Sequence, residues 1–190
     1  MALTYSEKGS LGEVAPDFEL PGVDGKTYRA RDFLDAKAWV VVFMCNHCPY
    51  VKAVQDRINS LAKQYAPRGV KVVGINSNDS TKYPEDDFDA MKACAKEQGY
   101  VFPYLWDTDQ SVAREYGAVC TPDFYLYAPG SKGRDSNVMV LKYRGRLDDC
   151  WSDEAKVTKR DLAHAIDRVL EGRDPDSVQP PSMGCSIKWK

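Results

Sequence analysis

Val41-Val42-Phe43-Met44-Cys45-Asn46-His47-Cys48-Pro49 is the stretch that decides how this chain folds. Four apolar residues run into two cysteines three positions apart, and a proline follows at once. The apolar run starts at Ala38, and Trp39 to Met44 is rich in β-prone residues, as expected of a central strand buried on both faces. Beyond Cys48, the residues Val51, Val54, Ile58, Leu61 and Tyr65 recur at helical spacing. A helix is therefore predicted from about Pro49 to Tyr65, ended by Pro67 and Gly69. The two cysteines stand where a buried strand hands over to a helix.

That placement carries chemistry. Free amides and the positive dipole end of a helix N-terminus stabilise a thiolate, and the thiolate is the nucleophile in disulfide exchange. Cysteines three apart on a first turn can also close a disulfide. His47, when protonated, favours nearby negative charge. Cys45 is thus predicted to be the exposed attacking thiol, with a pKa in the range of about 3.5–7.5 known for activated thiols. Cys48 is predicted to be the resolving thiol, one turn deeper. Two alternatives remain: inert thiols, or half of a zinc site. Zinc would need a second ligand pair, and no other CxxC, CxxH or HxxxH is present.

Working outward, strands and helices alternate, which argues for an α/β layered fold. Phe18–Leu20 and Thr27–Tyr28 flank a turn-rich stretch and read as a hairpin. Val70 to Ile75 is a second buried strand. Pro84 opens the next helix, with Glu85, Asp86 and Asp87 favourable to its dipole, and Gly99 closes it. Tyr104 to Trp106 is a short strand and Asp109 to Tyr116 a short helix. Asp123–Tyr127 and Val138–Tyr143 form a hairpin around a polar loop, Ala128 to Asn137. Thr158, with Asp161 three residues on, resembles a capping box for a last helix.

The chain has 190 residues, 43% hydrophobic and 28% charged, the balance of one globular domain with a full core. A net charge of -2 gives no electrostatic footprint for nucleic acid or an anionic membrane. Met1 to Glu13 has no apolar core of a signal peptide, and no apolar run is long enough to span a bilayer. A cytoplasmic location is expected. There, six cysteines are a poor fit to a framework of structural disulfides.

With these residues in view, the chain resembles the thioredoxin-like superfamily over Val14 to about Gly172. The likeness is to its redoxin branch, alongside ResA/TlpA-type reductases and AhpC/TSA-like peroxiredoxins. Three motifs carry it: Ala15-Pro16-Asp17-Phe18-Glu19-Leu20, the Val41–Pro49 site, and Thr121-Pro122-Asp123 before a strand. The strand–helix block from Asp79 to Trp106 also fits that branch. More narrowly, Cys-Asn-His-Cys-Pro-Tyr-Val-Lys-Ala and the terminal Gly-Cys-Ser-Ile-Lys-Trp-Lys resemble a subgroup described as probable thiol–disulfide isomerases or redoxins.

The resemblance implies a thioredoxin-like α/β fold: a central mixed sheet flanked by helices, an N-terminal hairpin and an inserted strand–helix block, spanning residues 1–172. It also implies that Pro122 is a cis-proline facing the disulfide and that Thr121 makes backbone contacts to a bound substrate chain. An ordinary loop proline is the alternative. Two departures stand out. Where thioredoxins carry a buried acid six positions before the first cysteine, this chain has Trp39, so the proton acceptor for Cys48 is unidentified. Asn78 and Asp79 lie at the sheet edge where such sites form, as candidates or as loop caps. Peroxiredoxins place a threonine three residues before the peroxidatic cysteine. Cys48 would occupy that cysteine's place, but the threonine position holds Cys45.

Among the other cysteines, Cys120 and Cys185 are candidate additional redox thiols. Cys94 reads as a buried small hydrophobe, and Cys150 has no expected role. Residues 173–190 form a proline- and serine-containing tail, and Ile187 and Trp189 are expected to dock it on the domain. Cys120 is the first-choice partner for Cys185.

The function expected is a thiol–disulfide oxidoreductase acting on disulfide-containing proteins or small thiols. Electrons would come from a reductase or a low-molecular thiol, without a bound cofactor. The alternatives are a peroxiredoxin-like thiol peroxidase with an antioxidant role, and a non-enzymatic redox-sensing adaptor.

Overall fold

The computed structural model describes residues 3–130 and 138–190. Residues 131–137 of the expected polar loop lie outside the described residues, as do Met1 and Ala2.

The Cys45–Cys48 segment leaves the end of β4 (Ala38–Phe43), whose six residues are all fully buried. Side chains on a strand alternate between faces. Accordingly Ala38, Val40 and Val42 join one core cluster while Trp39, Val41 and Phe43 join the other. β4 is central in a five-stranded sheet. On one side it pairs in parallel with β5 (Val70–Asn76), which pairs in parallel with β6 (Tyr104–Trp106). On the other it pairs antiparallel with β8 (Asp123–Pro129), itself antiparallel to β9 (Met139–Gly145). The sheet is therefore mixed.

Helix α1 (Pro49–Tyr65) lays Val51, Val54, Ile58, Leu61 and Tyr65 on the first face, where α4 (Asp161–Leu170) adds Leu162, Ala165 and Ile166. The second face is covered by α3 (Ser111–Glu115) and by Phe18, Leu20 and Phe33 around the hairpin of β2 (Glu19–Pro21) and β3 (Thr27–Arg29). Trp39 belongs here, stacked on Phe33 at 4.9 Å, so an aromatic core contact fills the position where a buried acid was missed.

Two boundaries differ from the sequence reading. The segment at Pro84 is a short 3-10 turn, Pro84–Asp86, and α2 (Phe88–Glu97) begins after it. The Asp87 carboxylate accepts the Ala90 amide at 2.8 Å and caps α2, which leaves Asp86 turned inward and fully buried. Thr158 makes no capping box either. Its amide and hydroxyl bond to Asp149, and α4 starts at Asp161 without a side-chain cap.

The C-terminus is part of the fold. β10 (Met183–Ser186) runs antiparallel between β1 (Leu3–Tyr5) and β7 (Cys120–Thr121). Ile187 is buried in the second core, and the Arg114 guanidinium lies 4.5 Å over the Trp189 ring. Gln110 has a left-handed backbone (φ 65°), and its side-chain amide donates to the Ser77 and Lys188 carbonyls at 2.8 Å while accepting the Lys190 amide at 2.9 Å. Close approach fixes the register: a Cβ on Gly184 would run into the Thr121 carbonyl. Gly184→Ala should therefore cost about 1–3 kcal/mol in urea unfolding, the usual penalty of overpacking a tight contact. An unchanged midpoint would mean that β10 does not lie against Thr121.

Candidate active site at the strand-to-helix junction

Proline is favoured at the first position of a helix, where no amide hydrogen is needed. Pro49 takes that position in α1, which makes Cys48 the residue that caps the helix. The Cys45 and Cys185 thiols, the Val51 amide and Thr121 surround the Cys48 sulfur and favour its charged form, although that sulfur makes no capping hydrogen bond at the start of α1. The Thr121 carbonyl, 3.2 Å away, can accept from a protonated Cys48. Set against this one acceptor, those neighbours favour the charged form. The Cys45 hydrogen bond contributes most. Burial opposes it, yet the Cys48 thiol is drawn down to about 5.

Cys45 moves the other way. Burial pushes its thiol well up, and donating to Cys48 and facing the Asp86 carboxylate push it further. Its sulfur lies 3.5 Å from the Thr121 hydroxyl. The exposed, acidified Cys45 expected from the sequence is thus not what the structure holds. Cys45 is 2% exposed and Cys48 fully buried, and the surroundings lower the Cys48 thiol while raising that of Cys45. The reason is where the helix begins: with Pro49 first in α1, its positive end lies at Cys48, not at the residue four positions before Pro49.

His47 bonds through Nδ1 to the Asp86 carboxylate at 2.5 Å and stacks on Tyr83 at 5.1 Å. Asp86 also accepts the Asn46 amide at 2.7 Å and the Asn78 side-chain amide at 2.7 Å. Asp86 therefore pins the loop between the two cysteines. The sequence reading treated it only as an acid at a helix start. Asn78 enters this network and accepts the Lys188 amide at 2.8 Å, tying the loop to the C-terminus. Asp79 stays a loop cap, bonded to Thr81 and Lys82.

The Thr121–Pro122 peptide bond is cis. Thr121 pairs through β7 with the chain's own β10. Cys120 is fully buried 3.9 Å from the Pro122 carbonyl, and burial pushes its thiol far up, as befits a packed side chain. Cys94 is half-buried, 3.9 Å from the Tyr100 hydroxyl, rather than fully enclosed. Cys150 offers its carbonyl to Arg57 at 3.0 Å. Ligand atoms of Cys45, His47 and Asp86 lie within 4.8 Å of one another, a spacing a metal ion could use; His47 Nδ1 is bonded to Asp86, while its Nε2 is buried without a hydrogen-bond partner among the described residues.

The AhpC/TSA family model matches residues 11–146. The crystal structure of an uncharacterized conserved protein from Geobacillus kaustophilus covers 100% of this chain with 97% of its own, at 46% identity and a TM-score of 0.90. That of a secreted Mycobacterium tuberculosis disulfide oxidoreductase covers 58% of this chain and 75% of its own, at 22% identity and a TM-score of 0.50. The fold is thioredoxin-like. The thiol-disulfide oxidoreductase ResA of Bacillus thuringiensis is 25% identical over 123 residues, 65% of this chain and 66% of that protein, so the match spans just under two thirds of its length.

The hydrogen bond to Asp86 raises the His47 pKa against the opposing effect of burial. Burial pushes Asp86 up, but its bonds from His47 and Asn78 more than cancel this and leave it lowered. The stabilisation from His47 is therefore full below the ordinary imidazole value of about 6.5 and fades as pH rises through the raised folded value. That from Asp86 is present above the ordinary carboxylate value and fades as pH falls through the lowered one. Imidazole proton NMR should show His47 titrating above about 6.5, with Asp86→Asn moving it downward. The second histidine, His164, is assigned by His164→Gln. A His47 midpoint unmoved by Asp86→Asn would break the link.

Proposed function

Because the chain belongs to the AhpC/TSA family, we propose that it is a thiol–disulfide oxidoreductase working through Cys45 and Cys48. One observation carries the reading. Two buried cysteines three apart stand at the start of α1, both against Thr121, with surroundings that lower the Cys48 thiol and raise that of Cys45. A dithiol so divided is ready to exchange, since the thiolate attacks and the second thiol follows.

The thiolate of Cys48 attacks a substrate disulfide. A Cys48–substrate disulfide forms, and the second substrate sulfur leaves and takes up a proton. Cys45 then loses its proton and attacks Cys48, which releases the first substrate sulfur and closes Cys45–Cys48. The substrate gains the two electrons the dithiol gives up. A low-molecular thiol or a reductase returns the pair to its reduced form. The substrates are disulfide-containing proteins or small disulfides. This assignment reverses the roles expected from the sequence.

Thiol peroxidase is the second reading. The charged thiol is the second cysteine of the motif, which favours it, because that is the place a peroxidatic cysteine would occupy. Here the same thiolate would be oxidised by peroxide to a sulfenic acid and resolved by a neighbouring thiol.

Insulin reduction and peroxide consumption, assayed in parallel on one preparation, separate the two. We expect insulin turnover to fall to background in Cys48→Ser and in Cys45→Ser/Cys185→Ala. With Cys185 also removed, Cys45→Ser/Cys185→Ala should accumulate a mixed disulfide carried on Cys48. A mixed disulfide trapped on Cys45 in Cys48→Ser would restore the opposite roles, and peroxide turnover without insulin turnover would favour the second reading.

A further inference from the structure

Cys48 has a sulfur neighbour on each side. β10 runs antiparallel to β7, with Cys185 opposite Thr121 and Ser186 opposite Cys120. Successive side chains on a strand point to opposite faces. Cys185 therefore shares a face with Thr121, whose hydroxyl is 3.5 Å from the Cys45 sulfur, while Cys120 points away. The Cys185 thiol hydrogen-bonds to the Cys48 sulfur, and at 2% exposed it lies in the same buried cluster as Cys45 and Cys48. Gly184 is what lets the strand come so close, since any side chain there would meet the Thr121 carbonyl. Cys120, the partner expected from the sequence, is on the wrong face.

The geometry points to Cys185 as a third redox thiol, one that forms a disulfide with Cys48 and so fastens the C-terminal strand over the centre. This rests on the oxidoreductase reading, which supplies the oxidised pair. In the step, Cys185 loses its proton and its sulfur attacks Cys48 within the Cys45–Cys48 disulfide. The Cys48–Cys185 bond forms, the Cys45–Cys48 bond breaks, and Cys45 leaves as a thiolate that takes up the proton. No electrons are gained or lost overall. At rest, burial and the hydrogen bond to Cys48 push the Cys185 thiol up to about 12. Once Cys48 is in a disulfide its charge is gone, and that second restraint on Cys185 is lifted.

Peptide mapping tests this. Wild type, Cys45→Ser and Cys185→Ala are oxidised with one equivalent of diamide, alkylated in acid and digested with trypsin. A Cys45–Cys48 disulfide stays inside peptide 38–52, whereas Cys48–Cys185 links peptide 38–52 to peptide 174–188. We expect the cross-link as the main product in Cys45→Ser and as a fraction of the product in wild type, which needs no substitution to fold. Intermolecular dimers or unreacted thiols in Cys45→Ser, with no cross-link in wild type, would overturn the proposal. Cys185→Ala should still close Cys45–Cys48. Its failure to do so, with the cross-link present in Cys45→Ser, would defeat the Cys45–Cys48 reading and leave the Cys185 assignment standing.

Discussion

A charge buried in a protein must be met by donors, and the sulfur of Cys48 is where this chain meets that demand. An uncompensated buried ion costs several kcal/mol, so burial alone would hold every thiol here protonated. Cys48 escapes because it stands at the positive end of α1 and because the Val51 amide, the Cys45 and Cys185 thiols and Thr121 favour its charged form. Each donor comes from a different part of the chain: Val51 from α1, Cys45 from the end of β4, Thr121 from β7 and Cys185 from β10. The centre is thus assembled partly by long-range packing: Val51 and Cys45 lie within three residues of Cys48, while Thr121 and Cys185 come from distant segments.

Thr121 joins these parts. Its hydroxyl meets Cys45, its carbonyl meets Cys48, and its backbone pairs with the C-terminal strand. Its edge, which the resemblance would give to a bound substrate chain, is taken by the protein's own last strand. In this arrangement both motif sulfurs are closed off, so reaching them requires that strand or the loop at His47 to move. The loop is held by Asp86, whose carboxylate serves Asn46, His47 and Asn78 together. Asn78 in turn holds Lys188, so the loop and the terminal segment are coupled by side chains as well as by proximity to the dithiol.

The elements that frame the centre were legible in the sequence because their periodicity is strong. β4 reads as an unbroken apolar run, and the α1 stripe from Val51 to Tyr65 repeats at helical spacing. What was not legible depended on contacts between distant segments. Asp86 sits among Glu85 and Asp87, and in sequence such a trio looks like acids at a helix start. Only folding turns the middle one inward. The partner of Cys185 could not be read before the register was known, because one step along β7 exchanges Cys120 for Thr121. The acidic thiol was the exception, since its signal was local: Pro49 marks the first helical position and makes Cys48 the cap.

The central claim is that the resting charge sits on Cys48. Thiolate absorbance near 240 nm, followed against pH in the reduced protein, reads that charge directly. One thiolate should appear with a midpoint near 5, vanish in Cys48→Ser and survive in Cys45→Ser at a higher midpoint, since its strongest donor is then altered. A low-pH thiolate that persists in Cys48→Ser and disappears in Cys45→Ser would place the charge on the other sulfur and contradict the account.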